Sequence, residues 1–163
     1  MRILGVDPGL TSTGYGVIET KDGPIKLLEA GFIKTSPREP ISERLLKIFN
    51  GLDALIREYK PSVMVLEKVY SHYKHPTTAI LMGHARGVIC VLCGIHNVRL
   101  VNYGSTRIKK SISGHGRASK EQVQRLVQSF LSLSAPPEPV DLSDALALAI
   151  SHVYIEKKDH IFA

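Results

Sequence analysis

The sequence predicts an α/β fold built on a five-stranded mixed sheet flanked by helices. Three observations carry this: three short apolar runs follow one another at the N-terminus, strand-like and helix-like periods then alternate, and the last third is helical. Residues 2–7 form an apolar run suited to a buried strand. Residues 14–19 and 25–34, parted by Lys21-Asp22-Gly23-Pro24, suggest a following hairpin. Residues 41–59 carry Leu45, Ile48, Phe49, Leu52, Leu55 and Ile56 at helical spacing, and Pro61 marks the end. Residues 62–67 read as a core strand, 77–95 as a second helix and 98–101 as a further strand. Residues 105–112, 119–131 and 141–155 read as three more helices, and Ser119 with Gln122 forms a capping-box pattern. No repeat or linker divides the chain, so residues 1–163 are expected to form one domain.

With 44% hydrophobic and 22% charged residues in 163, the composition is that of a globular protein and excludes disorder or coiled coil as whole-chain descriptions. The net charge of +6 is unevenly placed. Between Lys68 and Arg125 ten basic residues face one acid, Glu121, a net +9 that leaves −3 elsewhere, and five of the seven histidines share this window. A basic band within one domain points to a polyanion, most often nucleic acid. Two cysteines exclude a disulfide framework and favour a reducing, cytoplasmic setting. The Cys90-x-x-Cys93 spacing invites a redox or zinc reading, but Val88, Ile89, Val91, Leu92 and Ile95 around it read as a buried helix, and a structural zinc site needs four ligands. The longest uninterrupted apolar stretch, residues 87–95, is too short to cross a bilayer, so no membrane association is expected.

Four acids stand at predicted element ends. Asp7 closes the first strand and enters a glycine-containing turn, where it either serves chemistry or bonds the turn backbone. Glu67 ends an apolar strand; if the first and fourth strands are parallel neighbours, it converges with Asp7 where α/β sheets gather ligands. Asp141 and Asp144 open a helix one turn apart, a placement that helix capping alone also explains. Clustered carboxylates repel unless cations are present, and hard oxygen donors suit magnesium or manganese. Two such ions about 4 Å apart activate water, orient a phosphate and stabilise a leaving oxygen, the three tasks of phosphodiester hydrolysis.

These residues resemble the RuvC Holliday-junction resolvases of the RNase H-like superfamily over almost the whole chain. The resemblance rests on Arg2-Ile3-Leu4-Gly5-Val6-Asp7-Pro8-Gly9 with Gly14-Tyr15-Gly16, on Leu66-Glu67 with Val69-Tyr70, and on Gly83-His84-Ala85-Arg86-Gly87. It continues through Arg107-Ile108-Lys109-Lys110, Lys120-Glu121-Gln122-Val123-Gln124 and Asp141-Leu142-Ser143-Asp144-Ala145-Leu146-Ala147. It implies a homodimeric endonuclease of recombination and repair that makes paired symmetric nicks in four-way DNA junctions, leaving 5′-phosphate and 3′-hydroxyl ends. It implies a magnesium cofactor, two ions per site with manganese able to substitute, and RuvA and RuvB as branch-migration partners.

By this likeness Asp7, Glu67, Asp141 and Asp144 take the catalytic, metal-binding positions, Lys109 and Lys120 lie near the scissile DNA, and Tyr70 contacts bases at the crossover. Lys110 and Arg117 join them as candidate DNA contacts. Core packing for Tyr70, and a solvated helix surface for the lysines, are the plainer alternatives. The helix at 77–95 is apolar around most of its circumference, so it is either central to the core or, as in the family, shared with a second subunit. Competing readings are an RNA-processing nuclease of the same fold, a non-catalytic nucleic-acid-binding module, and an actin-like ATPase or sugar kinase fragment. The last needs two such domains, and this chain has room for one.

Overall fold

The computed structural model describes residues 1–21, 23–68 and 76–161. Its element order is β1 (Arg2–Asp7), β2 (Ser12–Glu19), β3 (Lys26–Lys34), α1 (Ile41–Tyr59), β4 (Val63–Glu67), α2 (Pro76–His96), β5 (Arg99–Tyr103), α3 (Ser105–Ser113), α4 (Lys120–Phe130) and α5 (Val140–Ile161). The five strands form one sheet in the order β3-β2-β1-β4-β5. β1 pairs antiparallel with β2 and parallel with β4, and β4 runs parallel to β5.

Each central strand is buried on both faces, so its side chains divide by alternation between two cores. Ile3, Val63, Val65 and Tyr103 pack with α3, α4 and α5. Leu4, Val6, Met64 and Leu66 pack with α1 and α2. α1 shows why the local pattern becomes a helix: Arg44, Ile48, Leu52 and Ile56 recur every four residues and are buried. Lys60 then adopts a left-handed conformation at φ 48°, and the chain leaves through Pro61. The capping box at Ser119 is present, its hydroxyl accepting from the Gln122 amide while the Gln122 side chain accepts from the Ser119 amide.

β2 begins at Ser12 and α5 continues to Ile161, both beyond their expected bounds, and two further expectations change. β5 runs two residues further than the sequence suggests, to Tyr103, because its later residues pair with Leu66 and Glu67. α2 is not buried all round. Ala85, Ile89, Leu92 and Cys93 face the core, whereas Cys90 is exposed and Ile80, Val91 and Ile95 are 62%, 56% and 55% exposed. Periodicity does not separate these faces, because both are apolar. α2 is also long and apolar enough by length and composition to span a membrane. The uninterrupted run from 87 understates this, since His84 and Arg86 break the run without breaking the helix. Its core contacts account for its buried face, and one such helix does not make a membrane protein.

Candidate active site

Asp7 ends the central strand, and Glu67 ends its parallel neighbour one position beyond the Val6–Leu66 pair. Alternation puts both carboxylates on the sheet face shared with Ile3, Val63 and Val65, the face that α5 covers. α5 lies unusually close to the sheet there. A Cβ on Gly5 would sit 2.9 Å from the Ala149 amide nitrogen, and one on Gly14 would sit 3.1 Å from the Asp141 Cβ and closer still to its carbonyl. Glycines in two neighbouring strands thus let the first turn of α5 reach the carboxyl end of β1, bringing Asp141 and Asp144 to Asp7.

The electrostatics register this convergence. Burial, then Asp144, Asp141 and Glu67 in turn, raise the Asp7 carboxyl from its ordinary 3.8 to about 7. Glu67 is raised by burial and by Asp144, with Lys109, Lys120 and a hydrogen bond from Ser105 opposing. Asp144 is raised by burial, against the pull of Lys120. The Lys120 ammonium lies 3.5 Å from an Asp144 carboxylate oxygen. A cation in the first turn of α4 opposes the helix dipole, so helix stability does not explain Lys120, whereas the facing acids do.

Glu67, Lys109, Lys120 and Asp144 line a cleft of about 300 Å³, with Ser105, Ile108, Val123, Ala147 and Leu148 as its remaining walls. Asp7 and Asp141 adjoin it electrically without lining it. Lys110 opens instead onto a neighbouring groove with Gly104, Ser105, Thr106 and Arg107. Arg117 is exposed between α3 and α4. Tyr70, with the His72–His75 segment, lies outside the described residues.

Several residues of this region escape sequence reasoning. Ser105 enters through its bond to Glu67. Arg86 donates to the Glu67 carbonyl at 2.8 Å. Further along α5, Arg99 from the start of β5 donates to His152 Nε2 at 3.3 Å, so the neutral ring carries its proton on Nδ1, 2.8 Å from the Tyr103 hydroxyl. Burial lowers the His152 pKa, consistent with that neutral ring. The signal for the α5 approach was available, as glycines interrupting strands at 5, 14 and 16. The hydrogen bonds carry no sequence pattern.

The donor set is four carboxylates, hard oxygen ligands, three of them raised first by burial and then by the charge of their neighbours. That chemistry fits a hard divalent cation. Among the described residues the acids share one sheet edge without closing into a group of three at metal-ligand spacing, and Lys120 partly neutralises Asp144.

A β3-β2-β1-β4-β5 sheet with acids at the ends of β1 and β4, joined by acids from a helix across its face, defines an RNase H-like nuclease fold. The profile of the family described as crossover junction endodeoxyribonuclease RuvC matches residues 3–152. The chain belongs to that family and is an endonuclease; the family implies a divalent metal cofactor. It is 44% identical to the RuvC of Rhodopirellula baltica, over 94% of this chain and 86% of that protein. It is also 44% identical to that of Caldicellulosiruptor saccharolyticus, over 94% and 92%. Among solved structures, Thermus thermophilus RuvC in complex with a Holliday junction substrate superposes with a TM-score of 0.93 at 32% identity, covering 98% of this chain and 96% of that one.

Proposed function

We propose that this chain resolves four-way DNA junctions as a homodimer, each subunit nicking one strand through Asp7, Glu67, Asp141 and Asp144. The observation that carries the reading is the gathering of these four carboxylates beside a cleft walled by two lysines. The DNA complex of the Thermus relative supports the junction as substrate. In this reading the chain is one nuclease domain over residues 1–163.

The carboxylates would hold magnesium, two ions per site with manganese as a substitute, and the metal would supply the activation of water and the stabilisation of charge on the phosphate. Lys109 and Lys120 face the same cleft, where their ammonium groups would hold the non-bridging oxygens of the scissile phosphate and compensate charge in the transition state. Water adds to phosphorus and the bond to the 3′ oxygen breaks, leaving a 3′-hydroxyl and a 5′-phosphate. Tyr70 is assigned base stacking at the crossover by family likeness, and Lys110 and Arg117 further phosphate contacts.

The exposed apolar face of α2 supports the dimer, since two copies of one helix can bury it symmetrically. RuvA and RuvB follow from family membership alone. Free Cys90 and Cys93 support a reducing cytoplasmic compartment.

The test is cleavage of a synthetic four-way junction with and without magnesium. Wild type is expected to nick symmetrically only with metal, and Asp7→Asn to bind the junction while losing cleavage. Equal cutting by the two proteins refutes the acid assignment.

A further inference from the structure

The sequence places Arg86 in the basic band, beside residues expected to meet DNA, but the structure spends its guanidinium inward. Arg86 Nη1 donates to the backbone carbonyl of Glu67 at 2.8 Å, and Nη2 donates to the Asn102 side-chain oxygen on β5. A single side chain of α2 therefore bridges the ends of two parallel strands at the residue that carries the candidate carboxylate.

Its position along α2 gives the bond a further consequence. Residues 76–84 of the helix include none that is buried, and Ala85 is the first to be. Arg86 is thus at the point where α2 meets the body of the protein. Its bond to the Glu67 carbonyl ties the end of β4 to the first buried turn of α2, where Ala85, Ile89 and Leu92 anchor the helix in the core.

We infer that Arg86 is a positioning residue for Glu67, coupling the α2 helix to the strand end that presents this carboxylate, and that it does not bind DNA phosphate. The inference rests on the reading of Glu67 as a metal-holding acid. Held from behind at its carbonyl, the Glu67 backbone presents its carboxylate from a fixed origin. Without Arg86, β4 still pairs with β1 and β5, but the last peptide of the strand loses its tether to α2.

The test uses the full-length chain with Arg86→Gln, Arg86→Lys and Asn102→Ala, each checked for folding by thermal unfolding. Arg86→Gln is expected to lower the single-turnover cleavage rate about 10- to 100-fold, the range for residues that orient metal ligands, and to raise the magnesium concentration for half-maximal rate. Binding of Mn2+ alone, followed by its paramagnetic resonance signal without DNA, should weaken in parallel. Junction affinity without divalent metal, and its salt dependence, should stay at the wild-type values. Arg86→Lys, with one donor able to reach the carbonyl, should recover part of the rate. Asn102→Ala, which removes only the second anchor, should show the same pattern more weakly, and it decides the matter if Arg86→Gln does not fold.

Loss of junction affinity with a salt slope lower by about 0.9 would make Arg86 a phosphate contact and overturn the inference. Unchanged rate and metal dependence would overturn it too. If wild type itself fails to cut junctions, it is the functional reading that fails; if wild type cuts and these variants cut equally, only the role of Arg86 falls.

Discussion

The raised Asp7 carboxyl makes the acidic site a measurable cost in the metal-free protein. A carboxyl at 3.8 in the unfolded chain and about 7 in the fold means that the folded state binds more protons than the unfolded state between those values. Stability therefore falls as pH rises through this window, and levels off above about 7. At 1.36 kcal/mol per pH unit the penalty approaches ~4 kcal/mol at pH 8, and it grows by about 3 kcal/mol between pH 5 and pH 8. Asp7→Asn keeps the shape and cannot ionise. Its stability relative to wild type should therefore increase by about that amount over the same interval, while pH effects common to both proteins cancel. The assay is urea unfolding of both proteins at pH 5, 6, 7 and 8 in chelator. A wild-type-minus-variant difference that stays flat across this range refutes the claim that Asp7 is buried among like charges. Magnesium should then stabilise wild type at pH 8 and stabilise Asp7→Asn less, because binding a cation to N and not to U raises stability by mass action.

Two further outcomes test the geometry. Gly14→Ala places a methyl group against the Asp141 backbone, so α5 must move; a loss of about 1 to 3 kcal/mol in urea unfolding is expected, with a cleavage loss of about 100-fold from misplaced acids. Lys120→Met should leave stability within about 1 kcal/mol, since the Lys120 side chain is 69% exposed and its contact with Asp144 is a long 3.5 Å, yet lower the cleavage rate about 100-fold at saturating DNA. A rate loss matched by an equal loss of junction affinity would instead make Lys120 a binding contact.

The order of elements was legible because each boundary has a local chemical cause: Pro61 after α1, the Ser119 box before α4, and the abrupt change from Leu66 to Glu67. The convergence of Asp7 and Glu67 was legible conditionally, since it depended on β1 and β4 being parallel neighbours, and they are. The two faces of α2 were not, because apolar residues occur on both. Nor was the use of Arg86, because a carbonyl acceptor 19 positions away leaves no mark on residue type. Backbone acceptors exist at every position, so only the folded path selects one.

The same limit applies to the basic band as a whole, and it alters what the charge means. Its count of ten cations treats each as available to DNA. Arg86 is committed to Glu67 and Asn102, Arg99 to Glu156 and His152, and Lys120 faces Asp144. Arg86 holds the end of β4 at Glu67, Arg99 lies at the opposite end of the sheet beside Val63, and of the three only Lys120 lines the cleft. The cations that offset the repulsion among the acids are the cleft lysines: Lys120 lowers Asp7, and Lys109 and Lys120 lower Glu67 and Asp144. The affinity for DNA should therefore follow Lys109, Lys110 and Arg117 rather than the net charge. Salt dependence is the observable that separates the two accounts, since only cations that displace counterions from phosphates contribute to its slope.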